Sequence, residues 1–233
     1  LVDTPNEDGW SYFAQIYGIP ESLIVLLSQA TSLATETHLM RSGAKSPSGT
    51  DDLDQRSRAF EDKLLAWTLP AYARGSFNSS NDDDAAAVED PDVQQQDQAA
   101  ANHFIIKHIS CAFHAALLIY FYRLVRHVEP SNVQHLVATV IEHLHAGEDE
   151  KFRHGVNNAG IVWPGFIAAC EAEDEADFEK LIDWMRISGD KTGIRSFDRA
   201  ADAAVKVRSV REVDPELTWP DVVRSHKVAL VLS

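Results

Sequence analysis

Two cysteines, Cys111 and Cys170, are all that this 233-residue chain carries. That excludes a disulfide framework and any zinc site built from several cysteines. Both lie inside apolar helical patterns, as buried thiols in a reducing compartment would. Cations are also scarce, 21 lysines and arginines against 36 acids, for a formal charge of -15. Such a surface repels a phosphate backbone, so direct contact with DNA or RNA is not expected of these residues. The longest apolar stretch, Cys111 to Tyr122, contains His114 and falls well short of the ~18 residues that suggest a membrane span. No signal peptide, Gly-rich phosphate loop or Gly-x-Ser-x-Gly elbow occurs, and no membrane partner or enzyme activity is expected. Period-two alternation never lasts long enough for a convincing strand, although "VALVL" near the end is locally ambiguous. The chain opens "LVDTPNEDGW" without a methionine, which reads as a fragment of a longer protein or a processed product.

What is present is a globular composition, 45% hydrophobic, arranged with helical period. Behind Pro20, residues Leu23, Leu26, Leu27, Ala30 and Leu33/Ala34 share one side of a first helix reaching about Met40. Phe60, Leu64 and Trp67 mark a second, from about Asp52 to Trp67, ended by Pro70. The stretch from Phe104 to Val128 is apolar nearly all round, the pattern of a central helix surrounded by others. Ser131 and Gln134 have the spacing of a capping box for the next helix, whose stripe is Val133, Leu136, Val137, Val140, Ile141 and Leu144 and whose stop is Gly147. In "WPGFIAACEAED", Pro164 is a helix-start signal, and Phe166, Ile167 and Cys170 follow Trp163 on one face. That helix is read as continuing through Phe178, Leu181, Ile182 and Met185 to Gly189. Another carries Phe197, Ala200, Ala204 and Val207 with Ser196 as cap, and a last runs from about Pro220 to Leu232.

Residues 74–97 break the pattern: Gly, Ser, Asn, Pro and Gln with seven acids and almost no large apolar groups. They are expected to form a disordered acidic loop, so part of the negative charge belongs to a solvated insertion. No fixed-period repeat is visible. The fold class expected is all-α, a single multi-helix domain over residues 1–233.

Candidate chemistry is sparse. His143 and His145 stand two apart on one helix and point to different faces, so with Glu148 they match no zinc signature. His103, His108 and His114 are spaced by five and six and do not stack on one face; packing roles are expected. Glu171, Glu173, Asp174 and Glu175 gather at a helix junction, where acids cap the next N-terminus. Trp163, Phe166, Trp184 and Trp219 are candidates for lining a ligand pocket between helices, with core packing as the alternative. Arg195, Arg199, Lys206, Arg208 and Arg211 could dock an acidic partner or the acidic loop, with a solvated face as the alternative.

Five segments taken in order resemble one family. These are "YGIPESLIVLLSQATSLA", "RAFEDKLLAW", "HAALLIYFYRLVRHVEPSNVQHLVATVIEHL", "WPGFIAACEA" and "TWPDVVRSHKVALVL", which together span nearly the whole chain. They are similar to the regulatory region of fungal-specific transcription factors whose N-terminal binuclear zinc cluster binds DNA, in the branch of the arginine-metabolism and GABA-pathway regulators. "WPGFIAACEA" is the most specific piece. A second tryptophan that the family often carries ahead of the closing one is missing from "VRSVREVD". The resemblance implies a non-enzymatic regulatory domain in the nucleus that contacts other proteins or itself as a homodimer. The alternative is a helical domain that senses a small-molecule effector. It implies no cofactor here: the six-cysteine cluster is absent, so zinc and DNA belong to an upstream domain of the parent protein.

Overall fold

A computed structural model describes residues 18–43, 50–70, 91–156 and 160–225. Among these residues the periodic stripes become eight α-helices, with no strand. They are α1 (Glu21–Arg41), α2 (Thr50–Leu65), α3 (Pro91–Leu124), α4 (Gln134–His154), α5 (Trp163–Glu171), α6 (Glu175–Thr192), α7 (Arg195–Arg211) and α8 (Trp219–Ser225). The fold is all-α, as the periodicity implied. Residues 74–90 of the expected acidic loop and everything after Ser225 lie outside the described residues. Residues 91–97 do not belong to a loop, because α3 extends back to Pro91.

The centre is three helices deep. α3 packs along α4 and α5; α1 lies on α3 and carries α2, while α6 and α7 pack as a pair against α5. Every residue of α5 is buried, from Trp163 to Glu171. A nine-residue helix with no solvated face can sit only at the middle of a bundle. Gly165 makes this possible: a Cβ there would stand 2.6 Å from Cζ3 of Trp184 on α6, so the backbone of α5 and an indole ring occupy touching layers.

Several boundaries differ from the sequence reading. The Ser131–Gln134 box does not form: Pro130–Val133 is a 3-10 turn, Val133 precedes α4 without a side-chain cap, and Gln134 turns elsewhere. Gly147 does not stop α4, which continues to His154 and ends on Gly155 at φ 62°. It sits instead where α4 crosses α3, with room for only ordinary contact with His108. The run from Trp163 to Gly189 is two helices, because Ala172 is extended and Asp174 caps α6 by accepting from the N–H of Asp177 (3.1 Å). Ser196 is not the cap of α7, which follows Ile194; the hydroxyl of Thr192 accepts the Ile194 N–H (3.3 Å).

The membrane reading also needs amendment. Counting only uninterrupted apolar residues understates α3, whose segment Ala99–Leu124 is long and apolar enough to cross a bilayer by length and composition, with mean hydropathy 1.6. Within the fold, 67% of its most apolar window is buried, against α1, α4 and α5. Most of that apolar surface is therefore covered by neighbouring helices.

Candidate functional site

The helices end in an ordered way. Arg41 is the last residue of α1, Arg123 lies in the last turn of α3 and Arg211 is the last residue of α7. Cations favour helix C-termini, where carbonyls without partners carry partial negative charge. These three arginines line a cleft of about 550 Å³ with His127, Arg208 and Glu171.

At its floor is the C-terminus of α5, whose last carbonyls are served from outside the helix. Arg211 donates to Cys170 O (2.6 Å), the amide of Gln134 to Glu171 O (2.8 Å) and Arg208 to Ala172 O (3.5 Å). Gln134 also donates to Pro130 O (2.7 Å) and accepts from the N–H of Glu173 (3.1 Å). Closing the end of a buried helix outweighs a local cap on α4, because unpaired carbonyls there would lie away from water.

The carboxylate of Glu171 is 1% exposed and has two cations on one oxygen. Nε of Arg123 donates to Oε2 at 2.7 Å and Arg211 reaches the same atom at 3.3 Å. Oε1 is buried with no partner among the described residues. Burial and the Glu171 charge together push the Cys170 thiol well above its usual range, so it is no nucleophile.

Beside this cleft lies a second, of about 420 Å³, between α1, α3 and α8; Arg41, His127, Glu216 and Thr218 line both. His127 stands at their junction with φ 52°, a left-handed conformation costly for a residue with a Cβ. Strain of this kind clusters at functional positions. The turn is held by Val128 N–H donating to Tyr122 O (2.9 Å). Arg41 donates to Nδ1 of His127 (2.9 Å), which requires a neutral acceptor there. Burial first, then the charges of Arg41 and Arg123, hold the imidazole below its ordinary value.

The four aromatic candidates separate. Trp219 lines the second cleft, with its ring 5.4 Å from Phe166 and 6.3 Å from Tyr120. Trp163, Phe166 and Trp184 line neither cleft. Trp163 packs on Phe113 at 4.7 Å, and Trp184 on Phe197 at 5.7 Å and over Gly165. The basic candidates divide likewise: Arg208 and Arg211 close the end of α5, and Arg208 also pairs with Glu175 and lies 4.4 Å over Phe178. Arg195, Arg199 and Lys206 are exposed on α7.

Arg41, Arg123, His127 and Thr218 were missed by the sequence reading, and Gln134 entered it only as half of a capping box. One local signal was available: "TWPD" has capping-box spacing, and Asp221 accepts from both the N–H and the hydroxyl of Thr218 at the start of α8. The others come from distant helix ends and leave no local pattern. A further missed pair, His108 and His143, faces across α3 and α4 with Nδ1 atoms 3.0 Å apart. Burial, the neighbouring His143 and Lys107 together lower His108 to about 4, and burial lowers His143. His114 behaves as a packing histidine, bonded to Leu64 O (2.8 Å) and stacked on Trp67.

Comparison with known proteins gives two matches. A family model described as Fungal specific transcription factor domain matches residues 1–232. Arginine metabolism regulation protein II of Saccharomyces cerevisiae is similar, 25% identical over 220 residues that make up 94% of this chain and 23% of that protein. The chain thus spans less than a quarter of the length of that relative. No solved structure matches the chain.

Proposed function

The chain belongs to the fungal-specific transcription factor domain family, a family of transcription regulators, and from that premise we infer that it is the regulatory domain of a nuclear, zinc-cluster transcription factor. It acts without catalysis, by contacting other proteins or a second copy of itself, and DNA is reached through a separate zinc-binding domain of the parent protein. The observation that carries this reading is the family match over residues 1–232. The test fuses the chain to an unrelated DNA-binding domain and measures a reporter in a fungal cell. A change in transcription that depends on the folded domain is expected; a reporter indistinguishable from the bare DNA-binding domain would refute the reading. Light scattering across concentrations reads self-association separately, and a strict monomer throughout would remove the homodimer from the proposal.

A second reading is favoured by one specific feature, the linked clefts around Arg41 and His127. In it the domain senses a small polar effector that shifts its conformation. The arginines that line the first cleft supply charge for an anionic group. The relative's name concerns arginine metabolism, so amino acids and their pathway intermediates form the first panel. A ligand that binds the folded state raises its melting temperature. No shift across the panel, while the reporter still responds, would remove the effector and leave the regulatory role standing.

A further inference from the structure

The crossing of α3 and α4 carries a second arrangement with its own chemistry. His108 and His143 meet with Nδ1 atoms 3.0 Å apart, their rings inclined at 72° and their centroids 4.9 Å apart. The His108 ring is held in place: it stacks on Phe104 at 4.3 Å, and its Cβ lies 3.8 Å from where a Cβ on Gly147 would be. Both residues are partly buried, neither closed off from water nor fully exposed. Two neutral imidazoles can share one hydrogen in this pose, one donating and the other accepting.

The same two nitrogens also suit a metal ion. With metal–nitrogen bonds of about 2.0–2.1 Å, atoms 3.0 Å apart subtend about 95° at a shared cation. A tetrahedral site would hold them about 3.3 Å apart and adjacent corners of a square or octahedron about 2.9 Å, so a shift of a few tenths of an ångström reaches either, and among divalent ions imidazole binds nickel(II) and copper(II) most tightly. The charged neighbours are Lys107 on α3 and Glu142 on α4, of opposite sign. No group of three or more His, Cys, Asp or Glu gathers at one point among the described residues, so the two imidazoles would be a bound cation's only ligands from these residue types there.

We propose that His108 and His143 form a two-histidine site for a divalent transition-metal cation that imidazole binds tightly, nickel(II) or copper(II), bridging α3 and α4. The cation takes the place of the shared hydrogen. The Nδ1 proton of the donor ring goes to solvent while its Nε2 takes one up, so no net proton is released. Sequence spacing could not reveal the site, because its ligands lie on separate helices.

Calorimetry with nickel(II) chloride on the full chain, in a buffer without chelating amines, is expected to show one site per chain. His108→Gln and His143→Gln should each weaken binding by more than about tenfold, since loss of even an outer-shell partner costs about that much. His145→Gln, two residues along on an exposed position, should leave it unchanged. Amide signals of the unsubstituted chain report the site even if a substitution loosens the crossing: copper(II) sulfate should first broaden residues around His108 and His143. Broadening centred elsewhere, no binding, or equal binding in both variants would overturn the proposal.

Discussion

Two helical glycines should respond to the same substitution with opposite sign. At Gly165 an added methyl would lie 2.6 and 2.8 Å from Cζ3 and Cε3 of Trp184 and 3.5 Å from Leu144 Cδ1. Trp184 is itself buried against Phe197, so its ring has nowhere to move. Overpacking of this kind costs about 3 kcal/mol, at the upper end of the usual range, and the better helix propensity of alanine returns about 1 kcal/mol. The net loss for Gly165→Ala is about 2 kcal/mol, which for a domain of this size lowers the melting temperature by roughly 4–8 °C. At Gly147 the nearest atom to an added methyl is 3.8 Å away, so propensity acts nearly unopposed. Gly147→Ala should gain about 0.5–1 kcal/mol and melt a few degrees higher. Thermal melts followed by far-UV circular dichroism read both. A Gly165→Ala chain as stable as the parent would show that α5 and α6 do not pack in touching layers, and the account of α5 as the central helix would fail.

Glu171→Gln removes the charge between Arg123 and Arg211 while keeping an acceptor, so it should cost about 1.5–3 kcal/mol, short of the loss from emptying a buried pair. Urea denaturation should show the lower midpoint with an unchanged slope. His114 is held below its ordinary value by burial, which the bond to Leu64 O only partly offsets. Below a pH of about 6.5 the unfolded chain takes up a proton that the folded chain refuses, so stability present above that pH falls as the solution is acidified. His114→Gln can keep a donor to Leu64 O, and its stability curve should be flatter through this window, by up to about 1.4 kcal/mol per pH unit. Trp219→Ala should lose about 1–2 kcal/mol through its contacts with Phe166 and Tyr120, read by the same melts.

Much of the helical architecture was legible because burial imprints its period on each segment. Leu23, Leu26, Ala30, Leu33 and Ala34 on α1 are buried as their spacing implied, as are Phe178, Leu181, Ile182 and Met185 on α6. Pro164 opened α5 and Asp174 capped α6 by local rules that need no partner. The misplaced ends differ in cause. Gln134 is drawn from a local cap to the end of α5, Gly147 is passed over by a helix that runs on to Gly155, and α7 begins at Arg195, one residue ahead of Ser196.

The candidate site was legible only in part. Arg208, Arg211 and Trp219 stood out by residue type, and the chain alone could say that they lie on a basic helix or a closing aromatic one. That Arg211 and Arg123 converge on one oxygen of Glu171, from positions 40 and 48 residues away, depends on three helix ends arriving together. Amino-acid order by itself determined the helices and their buried stripes, since each is a repeat within a few turns. The clefts, the Glu171 network and the His108–His143 pair were decided only by tertiary structure, because each joins atoms whose proximity follows from how whole helices pack.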